Sequence, residues 1–522
     1  MKTRIIPGLI FLTGLAAVHA EKPVTLVIHT DKPGTRISRH IYGHFSEHLG
    51  RCIYEGLWVG EDSDIPNING CRKDVVEALK EIHIPNLRWP GGCFADTYHW
   101  KDGIGPREQR PEIVNVHWGG VTEDNSFGTH EFLELCGQLG CEPVICGNVG
   151  SGTVREMAEW VEYLTSDALS PMTRLRKANG RSTPWKVKFW GIGNETWGCG
   201  GTMTADFYSD VMKRYSTFCR DYGDNRLFRV ACGASGDDYY WTETMMREWQ
   251  KTPDWLKGYI QGLSLHHYTV CHDWSNKGSA TDFTESDWIL TMSKTLFMEE
   301  IVTKHSAIMD KYDPEKKIAL VVDEWGNWHD VEPGTNPGFL YQQSTLRDAL
   351  VAGINLNIFN NHAERVKMAN IAQIVNVLQS VILTQKDRML RTPTWHVFKM
   401  YVPHHDAVMI PLTFTSPDYA YDEISVPAIT ASASRNEEGL IHVSLTNADP
   451  GNGYTLVCSP AGGEVRSVTG QIITADKINA SNRFGEAESV FVQPFSELSV
   501  RNGQAVITLP PKSVVMVSIS MK

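Results

Sequence analysis

Lys186–Gly201 reads KVKFWGIGNETWGCGG, an apolar run that halts at Asn194-Glu195 and resumes with Trp197. Its first half mixes Val, Phe, Trp and Ile and then turns to glycine, the pattern of a buried strand entering a loop. A carboxylate at that point needs a reason. Chance is the bland one, because a second Asn-Glu pair, Asn436-Glu437, sits in the polar turn SRNEEGL. Only the first pair closes an apolar strand.

Seven further runs share this texture: HIYGHF, IPNLRW, CEPVICGN, RLFRVACGA, GLSLHHY, KIALVVD and NLNIFNN. Between them lie stretches of helical period such as KDVVEALKEI, MAEWVEYLTS, FYSDVMKRYSTFCRDYG, MEEIVTKHSAIMDKY and QQSTLRDALVAG. Eight strands alternating with helices over residues 39–400 predict an α/β fold, a (β/α)8 TIM barrel. A doubly wound sheet is the alternative, but no GxGxxG opens the first crossover. From residue 401 to 522 the texture becomes alternating, as in LIHVSLTNAD and SVVMVSIS, bounded by Gly, Asn and Pro. That predicts a jelly-roll-like β-sandwich. VTLVIHT, within residues 21–38, reads as a strand joining the sandwich.

Residues 1–20 place Lys2 and Arg4 before an apolar run and end in Val18-His19-Ala20. This reads as a signal peptide and predicts export to the periplasm or the medium. The chain of 522 residues carries a net charge of −12 with no basic block, which argues against nucleic acid and anionic membrane as partners. Its 11 Cys are scattered and odd in number, so at least one is unpaired in a monomer and the pairing stays open. The 16 Trp either fill the core or offer flat ring faces to sugar C–H groups.

In a barrel, polar residues at the C-terminal strand ends converge on one mouth. Glu195 ends the fourth run and Glu324, in KIALVVDEWGNW, ends the seventh. Two facing carboxylates are what glycoside hydrolysis needs, one protonated to assist the leaving oxygen and one ionised to attack the anomeric carbon. Each alone could equally cap a loop or pair with an arginine. Glu47, Arg88, Cys93, Asn148, His266, His267 and Tyr268 fall at other strand ends, where Arg88 suits an ionised nucleophile and Glu47 suits sugar hydroxyls. Taken singly, His266 could be a satisfied core histidine and Cys93 a small filler. HFSEH, His44 to His48, also matches the H-x-x-E-H zinc-peptidase pattern, which requires both histidines on one helix face.

These segments resemble glycoside hydrolase family 51, chiefly α-L-arabinofuranosidases of a retaining (β/α)8 clan. KFWGIGNETWGCGG and LVVDEWGNW resemble its two catalytic segments, and IYGHFSEHLGRCIYEGLWVG, LRWPGGCFADTYHWKDGIGPREQRP, RVKMANIAQIVNVLQS and TGQIITADKINA extend the likeness along the chain. The resemblance implies an exo-acting enzyme that releases terminal arabinofuranose from arabinan or arabinoxylan. It makes Glu195 the acid/base and Glu324 the nucleophile. Glu47, Cys93, Asn194, Tyr268 and Gln373 fall to sugar binding, with Arg88 and His266 as supports. It implies no cofactor and no metal, and a homo-oligomer, often a hexamer. An endo-acting glucanase or xylanase on the same fold is the alternative, and a metallopeptidase a distant one.

Overall fold

The computed structural model describes residues 23–32 and 34–522; the leader reading falls outside them. Eight parallel strands close into a barrel in chain order: Gly43–Phe45, Asn86–Trp89, Glu142–Gly147, Phe189–Ile192, Phe228–Ser235, Gly262–Thr269, Ala319–Asn327 and Val366–Ile371. They are called strands 1 to 8 below. Strand 8 pairs with strand 1 through Asn370↔Gly43 and Ile371↔His44, which completes the ring. The floor of the interior is apolar, filled by Val144, Phe189, Val230, Ala319, Val321 and Met368. Such bulky residues close a TIM barrel to solvent from below and leave its polar groups at the upper end.

Seven of the eight runs overlap a strand. NLNIFNN does not: residues 355–361 finish the helix Leu346–Asn361, and strand 8 is Val366–Ile371. The alternating Asn residues mimic a strand period, but their polar side chains serve a packed helix. Asn357 Nδ2 donates to Thr430 Oγ1 at 3.1 Å, and Asn360 Nδ2 donates to Ser432 Oγ at 3.0 Å. The helix is buried nearly all round because the sandwich covers its outer face.

The sandwich has two sheets. Val24–Ile28 lies in the five-stranded one, parallel to Tyr454–Pro460. The six-stranded sheet centres on Ile441–Asn447 and Ser513–Met521. Among the described residues no helix is long and apolar enough to cross a membrane.

One irregularity bears on function. The pairing of strands 7 and 8 shifts register between Val322 and Trp325, and that of strands 6 and 7 shifts between Ser264 and His266. Successive residues of a regular strand face opposite sides. A bulge breaks that rule, and Asp323 and Glu324 both bond to Arg88 inside the barrel.

Candidate active site

Glu195 follows strand 4 and holds a left-handed backbone, φ 39°. A non-glycine residue there carries about 1–3 kcal/mol of strain, so its surroundings must hold it. They do so through Asp96, whose Oδ2 accepts from Asn194 N at 2.9 Å while its Oδ1 accepts from Val149 N and Gly150 N at 2.7 and 2.9 Å. Burial pushes the Asp96 carboxyl up to about 7. The other Asn-Glu pair meets a different fate, with the Glu437 side chain 92% exposed against 17% for Glu195.

Glu324 lies inside strand 7. Its Oε1 accepts from Arg88 Nη1 and its Oε2 from Tyr268 OH, both at 2.8 Å. Arg88 Nη2 also donates to Asn194 Oδ1 at 2.6 Å, and the guanidinium lies over the Phe45 ring at 4.5 Å. Gly92 permits the approach, since a Cβ there would sit 2.7 Å from Glu324 Oε1.

His266 joins the two glutamates. Its Nδ1 is 2.8 Å from Glu195 Oε1 and 3.5 Å from Glu324 Oε2, and its Nε2 is 3.0 Å from Asp323 Oδ1. Burial alone would lower this imidazole, but the charges of Glu324 and Asp323 outweigh it and raise it to about 10. An oxygen of Glu195 and one of Glu324 lie within 4.8 Å of each other. Burial raises the Glu195 carboxyl above its usual range, and the Glu324 charge raises it further.

Glu47, past strand 1, is enclosed by donors: Gln373 Nε2 at 2.5 Å, Trp118 Nε1 at 2.9 Å and Phe94 N at 3.1 Å. Burial, then the nearby Glu324, pushes it up to about 7. Cys93 is bonded to Cys199, which fixes the loop after strand 2 to the loop that carries Glu195. The other nine described cysteines are free. Asn148 stands apart, its amide binding Tyr98 O and Ser151 Oγ. The HFSEH residues do not form a metal-binding helix face. His44 lies in strand 1 against Phe398, whereas His48, past the strand, accepts from Trp89 Nε1 and contacts Glu123.

A cleft of about 690 Å³ opens from Glu195 and His266, walled by Trp197, Trp274, Phe297 and Trp328. The tryptophans therefore divide between the two expected uses. Trp325, beside Glu324 in sequence, is buried against Phe359 and Phe398, while Trp197 faces the cleft. Sequence reading missed Trp118 and Asp323. Trp118 lies in a loop whose only local signal is aromatic content, and Asp323 is hidden by its neighbour Glu324.

Comparison with known proteins gives this geometry its setting. Residues 78–222 match the family described as Alpha-L-arabinofuranosidase 1 domain, and residues 323–513 match Alpha-L-arabinofuranosidase C-terminal domain. An intracellular exo-alpha-L-arabinofuranosidase of Bacteroides ovatus is 51% identical, covering 99% of this chain and 100% of its own. The crystal structure of a GH51 arabinofuranosidase from Xanthomonas axonopodis pv. citri superposes with a TM-score of 0.93 at 49% identity, over 95% of this chain and 100% of that one. An arabinose complex of the Thermotoga maritima α-L-arabinofuranosidase gives 0.83 at 31% identity, over 96% and 100%.

The expectation of export does not survive this comparison. The Bacteroides ovatus relative, matched along its whole length, is an intracellular enzyme. A short apolar run behind two basic residues satisfies the composition of a signal peptide without establishing that it acts as one. The fold does agree with these relatives, and the family matches together span more than half of the sequence. The chain belongs to the α-L-arabinofuranosidases of glycoside hydrolase family 51.

Proposed function

We propose that Glu195 and Glu324 cleave terminal α-L-arabinofuranosides by double displacement with retained configuration. The observation that carries this reading is the approach of the two carboxylates within 4.8 Å across the barrel mouth. Retaining glycosidases keep their carboxyl groups about 5–5.5 Å apart, and inverting ones leave roughly 6.5–9.5 Å for a water. Arg88 and Tyr268 each donate to one Glu324 oxygen and so orient the carboxylate for attack on the anomeric carbon.

Glu195 starts protonated, because burial and the Glu324 charge both disfavour a second anion. It gives that proton to the departing oxygen as the arabinosyl ester forms on Glu324. Esterification removes the Glu324 charge, and with it one of the two causes that raised Glu195. The Glu195 carboxylate then takes a proton from water, which attacks the anomeric carbon and frees Glu324. Glu47, Gln373, Asn194, Tyr268 and the backbone around Cys93 surround the ring in this reading, and the tryptophan-walled cleft takes the leaving sugar. The donors closed around Glu47 support removal of a chain end.

The substrates of this class are arabinose-containing polysaccharides, and their oligosaccharides fit an intracellular setting such as that of the Bacteroides ovatus relative. Self-association belongs to the same reading, supported by large exposed apolar side chains such as Trp255, 82% exposed. Sedimentation velocity tests it. The mechanism is tested by NMR of the first product formed from an aryl α-L-arabinofuranoside. The α anomer is expected at first, and initial β-arabinose would overturn the retaining assignment. Glu324→Ala is expected to abolish turnover with the fold intact.

A further inference from the structure

The double-displacement reading uses Glu195, Glu324 and Arg88 but leaves one buried carboxylate without a role. Asp323 precedes Glu324 in strand 7, and only the register shift lets both reach the interior. Its Oδ2 lies 3.4 Å from Arg88 Nε and its Oδ1 lies 3.0 Å from His266 Nε2. It therefore touches two groups that in turn touch the reacting carboxylates, while Asp323 itself faces neither. Its side chain is about 10% exposed, and among the described residues no other ion pair engages it.

We propose that Asp323 is a positioning residue for the reaction, which fixes His266 as a cation with Nδ1 turned to Glu195 and holds the Arg88 fork against Glu324. This rests on the roles proposed above for Glu195 and Glu324. The geometry dictates the tautomer. A carboxylate accepts only, so the Nε2 proton of His266 is committed to Asp323. Nδ1 is left to serve Glu195 Oε1, and a proton there makes the ring an imidazolium. That cation can donate to Glu195 in either of its states. It leaves the acidic proton on the other oxygen, Oε2, in the first step and stabilises the carboxylate in the second.

Charge balance points the same way. The charged groups that act on His266 are Asp323 and Glu324 from strand 7 and Glu195 past strand 4; behind them Arg88 from strand 2 pairs with both strand-7 carboxylates, Tyr268 donates to Glu324, and Cys232 of strand 5 lies near Glu195. With Asp323 and Glu324 ionised, Arg88 and the imidazolium neutralise them, and Glu195 keeps its proton. Removing the Asp323 charge leaves the cluster one positive charge in excess, and the imidazolium is the group able to relieve it by losing a proton.

The test uses the full chain, with Asp323→Asn as an isosteric variant and His266→Gln as its partner. In Asp323→Asn the activity on an unactivated arabino-oligosaccharide is expected to fall about 10²-fold. Its kcat/KM should also gain a new decline between about pH 6 and 8, where an unsupported imidazole loses its proton. The double variant should be no worse than the poorer single one, because both act through one unit. If Asp323→Asn does not fold, imidazole NMR of the wild-type protein decides: His266 is expected to carry both N–H protons at pH 8. A neutral His266 at that pH, an Asp323→Asn profile parallel to the wild type, or additive losses would each overturn the proposal. Failure of the underlying mechanism looks different, as Glu324→Ala would then remain active.

Discussion

Arg88 Nη1 lies 2.8 Å from Glu324 Oε1 inside a buried contact, so the carboxylate proposed as nucleophile is held by a residue five strands away along the chain. Removing one partner of a buried pair leaves the other charge uncompensated, at about 3–5 kcal/mol. Arg88→Met is expected to lose at least about 10²-fold in kcat and to melt well below the wild type. Arg88→Lys keeps the charge but cannot serve Glu324, Asp323 and Asn194 together, and is expected to recover only part of the loss. Initial rates and thermal melts check both.

Glu195→Ala separates proton transfer from the rest of the reaction. Loss of general acid assistance typically removes about 10²–10⁴-fold. That loss is expected for arabino-oligosaccharides, whose leaving oxygen needs a proton. Dinitrophenyl arabinofuranoside should form the glycosyl-enzyme nearly as fast as in the wild type and stall at hydrolysis. Equal losses of the pre-steady-state burst on both substrates would contradict the assignment of Glu195.

Stability should depend on pH through His266. Its folded value is raised to about 10 from an ordinary 6.5. A raised base contributes stability that is complete below about 6.5 and is lost as pH climbs towards 10. The wild type is therefore expected to lose melting temperature between pH 7 and 10. His266→Gln should show a flatter decline over that window, and calorimetry of both proteins gives the difference.

Trp118 is expected to act on binding. Its indole is one of three donors to Glu47, at 2.9 Å. Trp118→Phe keeps most of the ring and removes that hydrogen bond, worth about 1–3 kcal/mol when the buried partner is left wanting. KM for an aryl arabinofuranoside should rise roughly 5- to 100-fold with a smaller change in kcat. A fall in kcat alone would place Trp118 elsewhere in the cycle.

Much of this site is legible in sequence because parallel barrel strands are buried on both faces. Their apolar runs end where polar work begins, as at Glu195 and Glu324. The eighth strand is misplaced because Asn355, Leu356 and Asn357 imitate a two-residue period, whereas Asn357 and Asn360 belong to a helix and face a sandwich contributed from far along the chain. Asp323 was hidden by the same rule that exposed Glu324, since strict alternation turns one of two consecutive residues outward. Register shifts leave no composition signal. Trp118 reaches Glu47 across 71 residues, and the Cys93–Cys199 link spans 106, distances over which local pattern says nothing.

The charged cluster at the mouth draws from both halves of the polypeptide. Arg88, Asp96 and Glu195 come with the first four strands; His266, Asp323 and Glu324 come with the last four. Arg88 finds its ion-pair partners, Asp323 and Glu324, only in the other half, so each half alone loses buried ion pairs and would be a poor independent folding unit. Separately expressed fragments cut between residues 220 and 226 would each lack the counter-ions that the other supplies. Mixing them is the natural route to recovering both solubility and hydrolysis, and the same dependence discourages a half-barrel from settling before its partner has been synthesised.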